Sequence, residues 1–98
     1  MTEQTKGQYR EFTVEFEGWD DEPVTVKVSL RKPTVPEVKR YTDLLGRSKD
    51  AVAAGAGLLR DIVQPEQKEQ LNKALADHPG LPLTLTNDVL KRIGLGGN

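Results

Sequence analysis

Apolar and polar positions alternate twice in the first third of the chain. Phe12, Val14 and Phe16 fall on one side with Thr13 and Glu15 on the other, and Val24, Val26, Val28 and Leu30 repeat the pattern against Thr25, Lys27 and Ser29. A period of two is that of a strand with one buried face. Between the two runs lies Glu17-Gly18-Trp19-Asp20-Asp21-Glu22-Pro23, whose glycine, aspartates and proline suit a hairpin loop longer than a two-residue turn. The pattern therefore predicts an antiparallel hairpin. Pro33 closes the second strand, because it has no N–H to give to a ladder.

The period then changes to that of a helix. Thr34-Val35-Pro36-Glu37 has the form of a capping box, in which Thr34 Oγ1 accepts from the Glu37 N–H and the Glu37 carboxylate accepts from the Thr34 N–H. Val38, Tyr41, Leu44 and Leu45 follow at helical spacing, which predicts a first helix over residues 35–45 with Gly46 as its stop. Ser48 is expected to cap a second helix carrying Val52, Leu59, Ile62 and Val63. Gly55 and Gly57 weaken that helix by about 1 kcal/mol each, so either a kink is needed there or another backbone comes close; the surrounding alanines favour close approach. Pro65 opens a third helix to about residue 76, with Leu71, Ala74 and Leu75 as a narrow apolar stripe. Leu81, Leu83 and Leu85 alternate briefly, and Thr86 is expected to cap a last helix over residues 87–93, with Leu85 and Leu90 as a hydrophobic staple.

The order predicts an α+β fold, an N-terminal antiparallel β-hairpin followed by three to four helices. With 98 residues there is room for one core. Residues 1–9 read as a disordered arm, 10–93 as a single domain and 94–98 as a flexible tail. A lone hairpin is marginal in water, so its apolar face must be covered by helices or extended by another chain's strand.

Composition narrows the function. The absence of cysteine removes disulfides, thiolate metal sites and cysteine nucleophiles, and fits a reducing cytoplasm. The longest apolar run, residues 51–59, falls short of the roughly 20 residues a membrane span takes, so no membrane partner is expected. A net charge of −1 offers no phosphate-neutralising excess and argues against nucleic acid. The charge is segregated: Glu11, Glu15, Glu17, Asp20, Asp21 and Glu22 make the first third acidic, and Arg31, Lys32, Lys39, Arg40, Arg47 and Lys49 make the next stretch basic. With open strand edges, that layout favours weak homo-oligomers.

Catalytic parts are few. His78 is the sole histidine and Ser29 and Ser48 the sole serines, so a nucleophile–base pair would have to use a strand serine or a helix cap. The chain reads as no enzyme, with no cofactor and no metal. The acidic tip lacks the spaced oxygen ligands and central glycine of a calcium loop. Trp19 is the one residue there that suggests an interface anchor, the alternative being a ring folded over the sheet edge.

The stretch VTVKVSLRKPTVPEVKRY, residues 24–41, resembles the opening of the small tail assembly chaperones of long-tailed bacteriophages and prophages. There a strand ends in an Arg-x-Pro-Thr turn and a helix follows at once, matched here by Arg31, Pro33 and Thr34. The resemblance implies a non-enzymatic cytoplasmic chaperone that coats the helical tape measure protein during tail morphogenesis. The glycine-rich helix around Gly55 and Gly57 has no counterpart in that pattern. Such a client needs a helix-in-groove surface, for which Leu58, Leu59 and Ile62 are the candidates together with Trp19; the alternative is that these leucines and the isoleucine fill the domain's own core. Members of that family are often made in two lengths by a one-base backward ribosomal slip, and Gly96-Gly97-Asn98 can be encoded as GGG-GGA-AAC, which permits one. Two other readings are a structural tail-completion or joining protein of the virion, and a small module that binds a host protein.

Overall fold

The structure, a computed structural model, describes residues 8–94. The hairpin comprises β1, Tyr9–Glu17, and β2, Pro23–Arg31, and is followed by four α-helices: α1, Val35–Ser48; α2, Ala51–Ile62; α3, Lys68–Asp77; and α4, Leu81–Arg92. One 3-10 turn, Pro65–Gln67, precedes α3. This is the α+β order that the alternation and capping signals predict. Of the expected arm and tail, residues 1–7 and 95–98, including the proposed junction Gly96, Gly97 and Asn98, lie outside the described residues. Tyr9, assigned by sequence to the arm, already pairs with Arg31.

The register sets Phe12 opposite Val28, Val14 opposite Val26 and Phe16 opposite Val24, so the phenylalanines, valines and leucine of the two strands lie on one face. That face packs on α2 and α4. Phe12, Val26, Val28 and Leu30 meet Leu58, Leu59 and Ile62 from α2, Leu71 and Leu75 from α3, and Leu81, Leu85 and Val89 from α4 in one continuous core. The outer edge of β2 is covered as well. Ser29 donates its N–H to Gln67 Oε1 at 2.7 Å and accepts the Gln64 N–H at 2.9 Å, and Gln70 Nε2 donates to the Lys27 carbonyl at 2.9 Å.

The capping box at α1 forms as predicted, and Arg31 extends it. Its guanidinium donates two bonds to the Glu37 carboxylate, at 2.9 and 2.7 Å, and a third to the Asp61 carbonyl at 2.9 Å. The end of β2, the start of α1 and the end of α2 are thereby tied at one residue. The Arg31 hydrogen bonds, with help from the Thr34 backbone, pull the Glu37 carboxyl down to about 2 from 4.5, against partial desolvation. No residue of α1 is fully buried; Tyr41 packs half-buried against the core.

Several element boundaries differ from the sequence reading: Pro65 opens a 3-10 turn and the third helix itself starts at Lys68, and Val63 lies past the end of α2 in an extended bridge with Leu30. Three further differences concern helix ends. First, α1 runs through Gly46 to Ser48 and ends at Lys49, which takes a left-handed backbone (φ 56°) and donates to the Leu45 carbonyl. Second, Asp50, not Ser48, caps α2: its side chain accepts from the Ala53 N–H at 3.0 Å, while Ser48 Oγ donates back to the Leu44 carbonyl. Third, α4 begins at Leu81 with Pro82 in its first turn, so Thr86 is a buried mid-helix residue, not a cap. Leu81, Leu85 and Val89 are stacked inward at helical spacing, and Leu83 points to solvent. Thr86 Oγ1 is buried without a hydrogen-bond partner and lies where α4 crosses Gly55.

Candidate functional site

The helices do not reach the tip of the hairpin. Val14, Phe16 and Val24 are therefore only half covered, and with Pro79, Gly80, Leu81 and Thr84 they line an open recess of about 870 Å³. His78 ends α3 and forms one wall; its ring meets Phe16 edge-on, with centroids 5.2 Å apart and an interplanar angle of 85°. Asp20, Glu22 and Asp77 rim the recess, so an apolar floor sits inside a negative border, while the Glu15 and Glu17 side chains project from the other face of β1.

Trp19 stands on that border and is fully exposed, at 103%. The turn fixes this. Gly18 donates to the Glu22 carbonyl at 2.8 Å, Asp21 donates back to the Gly18 carbonyl at 3.0 Å, and Asp21 adopts φ 66°. A Cβ on Gly18 would lie 3.1 Å from Val24 Cγ2, so the turn closes tightly on the sheet. The indole is thus not folded over the sheet edge. Leaving it hydrated forgoes roughly 2–3 kcal/mol of burial, a cost that an interface anchor recovers on binding.

Leu58, Leu59 and Ile62 have the opposite placement. They are 3%, 0% and 0% exposed; Leu59 and Ile62 are enclosed in the core and Leu58 lies at the bottom of the cleft between α1 and α2, so none offers an open groove to a partner helix in this fold. The four residues taken from the sequence as one candidate surface are accordingly split: Trp19 is outside and the three aliphatics hold the core together. The sequence reading missed the Phe16–His78 contact, because the two are brought together only by the return of α3 beside the hairpin tip. The residues that carry the resemblance, Arg31, Pro33 and Thr34, act as the structural joint between β2 and α1.

Other surfaces are less developed. Between α1 and α2 a shallow cleft of about 170 Å³ is lined by Tyr41, Leu44, Gly57 and Leu58 and closed at one end by the Arg40–Asp61 ion pair, 2.9 Å. Among the described residues no group of three or more histidines or carboxylates is placed to hold a metal ion, and no helix is long and apolar enough to cross a membrane.

Fold and site together define a small hairpin-plus-helices protein with an exposed aromatic beside an acid-rimmed apolar recess. Over residues 2–98 the chain matches, and belongs to, the family described as a domain of unknown function, DUF6848. No curated protein matches it. Among solved structures it is similar to the uncharacterised protein rbstp2171 from Bacillus stearothermophilus, with 23% identity, a TM-score of 0.74, and coverage of 100% of this chain and 96% of that one. At that identity the likeness extends to the fold alone.

Proposed function

We propose that this protein is a non-enzymatic protein-binding module, and that it serves as a tail assembly chaperone holding the tape measure protein in the host cytoplasm while a phage or prophage tail assembles. The observation that carries the reading is Trp19, fully exposed on the acidic rim of an apolar recess. An amphipathic helix with basic flanks complements that arrangement: its apolar side chains cover Phe16 and Val24, its lysines or arginines meet Asp20, Glu22 and Asp77, and a cation also stacks on the indole. The single histidine supports a binding role over a catalytic one, since its ring is a wall of the recess packed on Phe16. The client assignment comes from the resemblance of residues 24–41, and the site chemistry is compatible with it.

The test is capture of a tape measure fragment, encoded in the same genome, by the full-length chain and by Trp19→Ala. The wild type is expected to hold the fragment, and Trp19→Ala to weaken it about tenfold or more, with an unchanged circular dichroism spectrum. A fragment that stays free of the wild-type chain would remove the chaperone reading, and recovery of the protein in purified particles would favour a structural tail component.

A further inference from the structure

We infer that the outer edge of β1 is a docking edge for an extended segment of a partner protein in which basic residues alternate with apolar ones. The two edges of the hairpin differ. On β2 the outward groups of Lys27 and Ser29 are taken up by Gln64, Gln67 and Gln70. A strand residue sends its N–H and C=O to the same side, and its neighbours send theirs to the other, so the ladder between the strands runs through pairs such as Phe12–Val28 and Val14–Val26. The N–H and C=O groups of Glu11, Thr13 and Glu15 consequently face away from β2. All three residues are exposed, and no hydrogen bond from the other described residues reaches those groups. Such a row is the template on which an incoming strand pairs.

Charge selects the occupant. Along this edge the solvent side of the sheet carries Glu11, Glu15 and Glu17, and the opposite side carries the half-buried Val14 and Phe16. A second copy of β1 fits badly. Antiparallel pairing about Thr13 sets Glu11 against Glu15 twice, and pairing about Glu11 or Glu15 sets a carboxylate against its own copy; like charges directly opposite destabilise a strand pair. A strand with lysine or arginine on one face and aliphatics on the other reverses both effects, pairing opposite charges and continuing the apolar face over Val14 and Phe16. β2 is itself such a strand, with Val26 and Val28 alternating with Lys27 on the inner side of β1. This inference concerns the backbone edge of β1; it shares Val14 and Phe16 with the recess but uses neither Trp19 nor the chaperone reading.

The test adds a blocked seven-residue peptide, Lys-Val-Lys-Val-Thr-Val-Lys, to the isotope-labelled full chain and follows amide hydrogen exchange. Exchange at Glu11, Thr13 and Glu15 is expected to slow by about tenfold or more. Thr13→Pro deletes an N–H that the ladder does not use and should abolish the protection with the remaining amide spectrum intact. Should that variant unfold, the double change Glu11→Lys, Glu15→Lys probes the same edge without altering the backbone and is expected to weaken binding about tenfold. Equal binding of a peptide of the same composition with its lysines grouped together would overturn the proposal. So would shifts confined to the Trp19 recess, no response at millimolar peptide, or protection of the three amides that rises with protein concentration when no peptide is present.

Discussion

Replacing Gly55 and Gly57 by alanine, one at a time, should move stability in opposite directions. Both glycines lie within α2, where alanine is the better helix former by about 1 kcal/mol. At Gly57 a new Cβ meets nothing within 4 Å, because the residue faces the shallow cleft beside Tyr41 and Leu44; the full gain of about 1 kcal/mol is expected. At Gly55 the Cβ would lie 2.7 Å from Thr86 Oγ1 and 3.3 Å from the Pro82 carbonyl. Overpacking of that kind costs about 1–3 kcal/mol, so after the helical gain of about 1 kcal/mol a net loss of up to about 2 kcal/mol remains. In a Thr86→Ala background the nearest atom is gone and the hydroxyl that has no partner goes with it, so Gly55→Ala should become neutral or stabilising, a coupling of about 2 kcal/mol. Urea unfolding followed by circular dichroism measures the midpoints of wild type, the three single variants and the double variant, and an unchanged slope confirms that stability alone has moved. If Gly55→Ala stabilises as much as Gly57→Ala, or if Thr86→Ala leaves its cost unaltered, the close crossing of α2 and α4 is not what requires the glycine.

The remaining predictions concern the joint and the two halves of the sequence-derived surface. Because pairing with Arg31 lowers the Glu37 pKa to about 2 from 4.5, the stability it contributes is fully present above pH 4.5 and is lost as pH falls toward 2. Glu37→Gln should therefore lose about 1 kcal/mol at neutral pH, allowing for solvent screening, and the gap to wild type should close on acidification; a constant gap in chemical unfolding would contradict this. Leu59→Asp and Ile62→Asp should each cost an amount comparable to the whole net stability and leave the chain largely unfolded by circular dichroism, since both positions are fully enclosed. Trp19→Ala should change the unfolding midpoint by no more than about 0.5 kcal/mol. As the chain's sole tryptophan, Trp19 should emit as a fully hydrated indole in the native state and shift to the blue when a partner covers it; a native emission already blue-shifted would speak against its exposure.

Local chemistry was legible in the chain, and long-range geometry was not. The hairpin and its facing could be read because a period of two assigns Phe12, Val26 and Val28 to one side whatever lies beneath. The α1 cap could be read because both of its partners, Thr34 and Glu37, are within one turn. The start of α4 was misread because Leu81 and Leu85 are consistent with alternation as well as with a helical spacing of four; Pro82, suited to a first helical turn, was the signal that separates the two. At α2 the apolar positions Leu58, Leu59 and Ile62, set among alanines and glycines, describe a helix apolar nearly all round, which is the pattern of burial rather than of a groove. Trp19 could be singled out from residue type and turn context. Its neighbour His78 could not, since nothing local ties residue 78 to residue 16.

The missing core residues of α1 give the molecule a mechanical character. A helix whose anchors are the Arg31–Glu37 and Arg40–Asp61 ion pairs and the half-buried Val38, Tyr41 and Leu45 has less to lose on detaching than α2 or α4, which carry the shared core. We expect it to open first, which faster amide hydrogen exchange along α1 than along α2 and α4 would show. Salt, which leaves aliphatic packing nearly untouched, screens both ion pairs, and acid acts on the Glu37 carboxylate. In mechanical terms α1 is a strut clamped to the outside of the fold, with Arg31, Pro33 and Thr34 at its foot.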